Sequence, residues 1–188
     1  MKTMPWINVV DTNKATGRLK EIYDEIIEKR GKLSNIMKIH SLNSDAMEKH
    51  MDLYIVLMFG KSGLPREERE FIAVAVSKVN RCEYCINHHA EALSFYWKDN
   101  EKLQKFLDDF ESIELNNRQN AMLEYAIKLT KMPDKIEKSD IDKLRNSGFS
   151  DEDILNINLI CCYFNFVNRI ALGLGVELSE EEIKGYKY

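Results

Sequence analysis

Cys82, Cys85, His88 and His89 lie within one stretch, "RCEYCINHHAEAL", which gathers two of the chain's four cysteines and two of its four histidines. On a helix, Cys82 and Cys85 share a face one turn apart, and His89 follows Cys85 at i+4 on the same side. Two sulfurs so spaced can reach disulfide distance, and the imidazole can take a proton from the nearer thiol. A thiol with a pKa of about 8.5 is only a few per cent thiolate at pH 7, so attack requires activation. A helix N-terminus would activate Cys82 most, whereas the imidazole would activate Cys85. On these grounds alone either sulfur could attack. Zinc is a competing use of the same side chains, but Cys82, Cys85 and His89 make only three ligands. A fourth would have to come from His40, Cys161 or Cys162, all distant in sequence. A helical scaffold with inert cysteines is the bland alternative.

The segments that must position these groups read with helical period. The expected helices are residues 11–30, 43–59, 65–79, 82–96, 101–110, 117–131, 139–146 and 151–174. They predict a single-domain, all-α bundle of about eight helices, with the cysteine motif opening a central one. "FIAVAV" alone would suit a buried strand, but its acidic, proline-led start at Pro65, Glu67, Glu68 and Glu70 favours helix. Gly31 and Asn80 are expected C-caps, and Ser139 and Ser150 expected N-caps, Ser139 with Asp142 as a weak capping box. The methionines at 47, 51 and 58 read as core filling, as do the adjacent Cys161 and Cys162 in "LICCYFNFV". If 65–79 and 82–96 form an antiparallel hairpin turning near Arg81, Glu70 comes within about one helical turn of His89. A carboxylate there could orient the imidazole; as a solvated first-turn acid it would do nothing.

Composition narrows the remaining choices. The 188 residues are 44% hydrophobic and 31% charged, with a net charge of −4, which gives no reason to expect nucleic acid or an anionic membrane surface as partner. No signal sequence is legible at the N-terminus and no unbroken apolar run of about 18 residues occurs, so the expected location is the cytoplasm. Four cysteines there are not a disulfide framework. No Gly-rich dinucleotide loop is present, so no cofactor is expected and electrons would come from another thiol carrier. The long apolar stretches lead us to expect a homo-oligomer.

The pattern Glu70, eleven intervening residues, Cys82-Glu-Tyr-Cys85, three more residues, His89 resembles the signature of the alkyl hydroperoxidase D-like (AhpD-like) proteins of the carboxymuconolactone decarboxylase superfamily. "LPREERE" and "CYFNFVNRIALGLGVEL" resemble the branch described as peroxidase-related proteins, so the likeness brackets residues of about 64–178. The resemblance implies an all-α fold, homo-oligomers, and reduction of hydroperoxides by a cysteine pair with a Glu–His proton relay. Cys85 would then be the attacking thiol, Cys82 the resolving thiol, His89 the base and Glu70 the relay carboxylate, with an external dithiol as reductant. Founding members carry histidine where this chain has Tyr84, and tyrosine does not buffer a proton near pH 7. His88 is the candidate to compensate, although it points about 100° from His89 around the helix. A decarboxylase-type member of the superfamily is the other enzymatic alternative; such activities do not need a Cys-x-x-Cys pair.

Overall fold

The computed structural model describes residues 5–178 and Glu182. Its α-helices are α1 Gly17–Arg30, α2 Asn35–Lys38, α3 Ser44–Phe59, α4 Arg66–Val79, α5 Glu83–Trp97, α6 Asn100–Asp108, α7 Asn117–Lys131, α8 Lys138–Asn146 and α9 Asp151–Leu174. No strand occurs among the described residues. The expected all-α bundle is therefore present, although the ends of the expected 1–188 domain lie outside the described residues.

Helix α4 is the centre. Residues 71–77, including the "FIAVAV" segment, are buried on every side, because α4 packs on α3, α5, α7 and α9 at once. A helix apolar all round is one enclosed by others, which is why alternating β-branched residues do not make a strand here. A second, smaller apolar cluster joins Ile22, Tyr23 and Ile26 of α1 to Met37 of α2 and Met47 and Met51 of α3. Tyr54 and Ile36 pack against both clusters, at the seam between them. Helix α9 is long and apolar enough to cross a membrane, yet nine of its residues are buried within the bundle.

The turn between α4 and α5 positions Cys82. Arg81 adopts a left-handed conformation (φ 57°), the Cys82 N–H donates to Ser77 O at 3.0 Å and the Arg81 N–H to Lys78 O at 3.0 Å. These bonds close α4 in a Schellman motif one residue after Asn80, its expected C-cap. Cys82 thus ends one helix and caps the next, which begins at Glu83 rather than at Cys82 as expected.

Several boundaries differ from the sequence reading. Residues 11–30 are not one helix: a 3-10 turn at Thr12–Lys14 is separated from α1 by Ala15 and Thr16 in extended conformation, and Gly17 takes φ 53°. The short α2 was not expected. Residues 101–110 end earlier, at Asp108, before a 3-10 turn at Phe110–Ser112. Ser139 is not an N-cap; the cap is Glu137, whose N–H donates to Asp140 Oδ2 at 2.8 Å, so the Ser139–Asp142 box does not form. Ser150 does cap α9, in a reciprocal box with Asp153, and Gly31 caps α1 with φ 80°. Cys161 is fully buried but Cys162 is exposed, a correction to the reading of both as core: the 100° step of a helix turns the second sulfur outward.

Candidate active site

The hairpin brings the signature together. Glu70, wholly buried on α4, accepts a hydrogen bond at Oε2 from His89 Nδ1 at 2.6 Å. Its other oxygen, Oε1, accepts from Arg66 Nε at 2.8 Å and Nη2 at 2.5 Å, one turn back on α4. Glu70 is therefore not a solvated first-turn acid. Burial raises its carboxyl, but His89 and Arg66 together outweigh burial and hold it below the usual carboxylate range. Arg66 is itself fixed, donating from Nη1 to Met58 O at 2.9 Å and lying 3.7 Å over the Phe59 ring. Because the carboxylate only accepts, the His89 proton sits on Nδ1 and Nε2 remains free to act as a base. Phe164 of α9 meets the His89 ring edge-on at 4.5 Å and sets its tilt.

The two sulfurs of Cys82 and Cys85 are 2.7 Å apart, and both residues are buried. They are not equivalent. The hydrogen bond between the two sulfurs draws the Cys82 thiol below its ordinary value, while the same contact, together with burial, pushes the Cys85 thiol up. The first negative charge on the pair therefore settles at Cys82, at the N-terminus of α5. Only Cys85 lines the neighbouring cavity, a space of about 80 Å³ at the seam of the two apolar clusters. Glu70, His89, Tyr84, His88, Tyr163 and Phe164 share its wall with Met37 and Met51. At roughly 10–15 Å³ of such volume per water, this holds a small molecule or a chain segment rather than a bulky cofactor.

Tyr84 does not join the Glu70–His89 pair. Its hydroxyl accepts from the Ile36 N–H at 3.1 Å and donates to Glu182 Oε1 at 2.7 Å, which ties α5 to α2 and to Glu182. His88, despite pointing away from His89, also lines the cavity; burial drives its pKa down to about 3. His40 bonds to Ile36 O and to His50. Cys161 lies in the core and Cys162 faces outward. Among the described residues no group of three or more His, Cys, Asp or Glu side chains is placed to hold a metal ion.

Two contributions were missed in the sequence. Arg66 was legible as an i,i+4 partner of Glu70. The second, Tyr163 on α9 bonded to His50 and through it to His40, had no local signal.

A family model described as "Carboxymuconolactone decarboxylase family" matches residues 45–128. A crystal structure of an uncharacterized peroxidase-related protein from Silicibacter sp. TM1040 is 30% identical, covers 97% of this chain and 98% of its own, and superposes with a TM-score of 0.84. The chain belongs to the AhpD-like proteins of the carboxymuconolactone decarboxylase family. Another AhpD-like structure, described as an alkylhydroperoxidase AhpD core and uncharacterized peroxidase-related protein from Ralstonia eutropha JMP134, is 27% identical over 97% of this chain and 96% of its own, with a TM-score of 0.86. The debrominase Bmp8, whose complex with 2,3,4-tribromopyrrole has been solved as a C82A variant, shares the AhpD-like fold at 20% identity, covering 94% of this chain and 96% of its own, with a TM-score of 0.76. No curated protein matches the sequence.

Proposed function

We propose that the protein is a thiol-dependent hydroperoxide reductase in which Cys85 attacks and Cys82 resolves. The observation that carries this reading is that Cys85, and not Cys82, faces the cavity shared with the buried Arg66–Glu70–His89 chain. The relatives described as peroxidase-related support it.

The geometry gives each proton a place. His89 takes one proton from the dithiol, and the imidazolium is matched by the Glu70 carboxylate. The other proton stays between the sulfurs, nearer Cys85 because Cys82 is the more acidic. As Cys85 attacks the terminal oxygen of the hydroperoxide, its proton passes to Cys82, the O–O bond breaks, and the departing alkoxide takes the proton from His89. The products are an alcohol and a Cys85 sulfenic acid. The Cys82 thiol then condenses with it, forming the disulfide and releasing water. An external dithiol returns two electrons and two protons. Such a cycle suits a reducing compartment, the cytoplasm. The exposed stripe Leu155, Leu159 and Phe166 on α9 supports a homo-oligomer.

The test is turnover of tert-butyl hydroperoxide with dithiothreitol as reductant, run beside 2,3,4-tribromopyrrole. Wild-type protein is expected to yield one tert-butanol per dithiol oxidised, and Cys85→Ser to lose more than about 1,000-fold in rate. Wild-type rates in Cys85→Ser, or debromination of the pyrrole without reaction of the hydroperoxide, would contradict the reading.

A further inference from the structure

A second hydrogen-bonded chain ends on the same cavity. Tyr163 lines it and is 5% exposed. Its hydroxyl lies 2.8 Å from His50 Nε2; His50 Nδ1 lies 3.2 Å from His40 Nε2; and His40 Nδ1 lies 2.9 Å from Ile36 O. The last contact fixes the sense of all the others. A backbone carbonyl can only accept, so His40 carries its proton on Nδ1 and, being neutral, offers Nε2 as an acceptor. His50 must then donate from Nδ1 and accept at Nε2, and the Tyr163 O–H must donate to it. Burial favours the neutral imidazoles: it lowers the pKa of His40, and with the nearby His40 it drives His50 down to about 3. Burial, followed by the neighbouring Tyr54 and Cys85, pushes the Tyr163 phenol well above its ordinary value, so it too stays neutral.

With its only proton committed to His50, the Tyr163 oxygen has nothing left to offer the cavity except lone pairs. We propose that Tyr163 is a substrate-positioning residue whose oxygen accepts the hydrogen bond of the hydroperoxide O–H, held in that polarity by His50 and His40. This rests on the hydroperoxide reading. The terminal oxygen of a hydroperoxide is the atom that bears the hydrogen and the atom a thiolate attacks. Its proton stays on it as it becomes the sulfenic hydroxyl, so the bond to Tyr163 persists from substrate to product. The site is therefore specific for small peroxides that keep an O–H, and rejects dialkyl peroxides, which would leave the buried acceptor unmatched.

Two measurements on the reduced, full-length protein test the polarity without turnover. Imidazole ¹⁵N shifts should show both His40 and His50 as Nδ1–H tautomers at pH 7. Titration of tert-butanol against methyl tert-butyl ether, read from the methyl signals of the cavity residues Met37 and Met51, should favour the alcohol about threefold to tenfold, with Tyr163→Phe removing the preference. In hydroperoxide assays Tyr163→Phe should lose a similar factor in kcat/KM, chiefly through KM. An Nε2–H tautomer at either histidine, or equal binding of alcohol and ether by wild-type protein, would overturn the proposal. Silent hydroperoxide assays alongside the predicted tautomers and alcohol preference would support the acceptor and defeat only the reaction assigned to it.

Discussion

Two polar chains reach the same small cavity, and they differ in charge. Arg66–Glu70–His89 is built around an ionised, wholly buried carboxylate whose acceptor sites are filled by a guanidinium and an imidazole N–H. Tyr163–His50–His40 contains three ionisable groups and, by its hydrogen bonding, no charge. The first can store a proton and return it, because a carboxylate beside the imidazole stabilises the imidazolium. The second cannot, since charging any member would strand a buried ion; it can only fix a direction. On the proposed function, one cavity carries a group that moves protons and a group that orients what receives them.

The comparison breaks most sharply at Glu70. Glu70→Gln keeps the shape but removes the charge that matches protonated His89, and about a 100-fold fall in kcat/KM is expected, mostly in kcat. If hydroperoxide turnover in Glu70→Gln stayed within twofold of wild type, the two chains would not differ as described.

Acid should separate them next. The pKa values of buried His50 and His88, about 3, lie below the roughly 6.5 of an unfolded histidine, and that of His40 is lowered as well. As pH falls below about 6.5 the unfolded chain binds protons that the folded chain refuses, so the stability present at neutral pH is lost on acidification, by up to roughly 1.4 kcal/mol per pH unit for each such imidazole. Glu70 works in the same direction but later, since its depressed pKa keeps it ionised until the pH passes below the ordinary carboxylate range. Urea unfolding should therefore show a clear loss between pH 7 and pH 5, reduced in His50→Gln. A flat profile over that interval would mean that the neutral chain is not neutral.

Tyr84 sharpens the contrast, because it lines the cavity yet its hydroxyl bonds to Ile36 and Glu182. Tyr84→Phe should lower stability by about 1–3 kcal/mol through the unmatched Ile36 N–H and the lost bond to Glu182, which keeps that of the Asn35 N–H, while changing turnover less than about threefold. A larger kinetic effect would place Tyr84 in the relay.

The Glu70–His89 pair was legible in the sequence; Arg66 and the neutral chain were not read from it. Glu70 and His89 lie on consecutive helices joined by a tight turn, so counting residues from Arg81 was enough to pair them. Tyr163 and His50 are 113 residues apart, on helices whose relative placement no local spacing encodes. Eight of the nine α-helices among the described residues followed from period and caps, whereas Cys82 at the cap rather than inside α5 depended on the Schellman turn. That turn requires Arg81 in a conformation most residues avoid. Adjacent Cys161 and Cys162 read alike in an apolar run, and only packing distinguishes the buried sulfur from the exposed one.

The most direct test of the central claim is a count of free thiols on the reduced protein before and after one equivalent of tert-butyl hydroperoxide, with peptide mapping of any disulfide. The account predicts the loss of two of four thiols as a Cys82–Cys85 bond, reversed by dithiothreitol and absent in Cys85→Ser. Four thiols unchanged in the wild type, or a disulfide through Cys162, would contradict it.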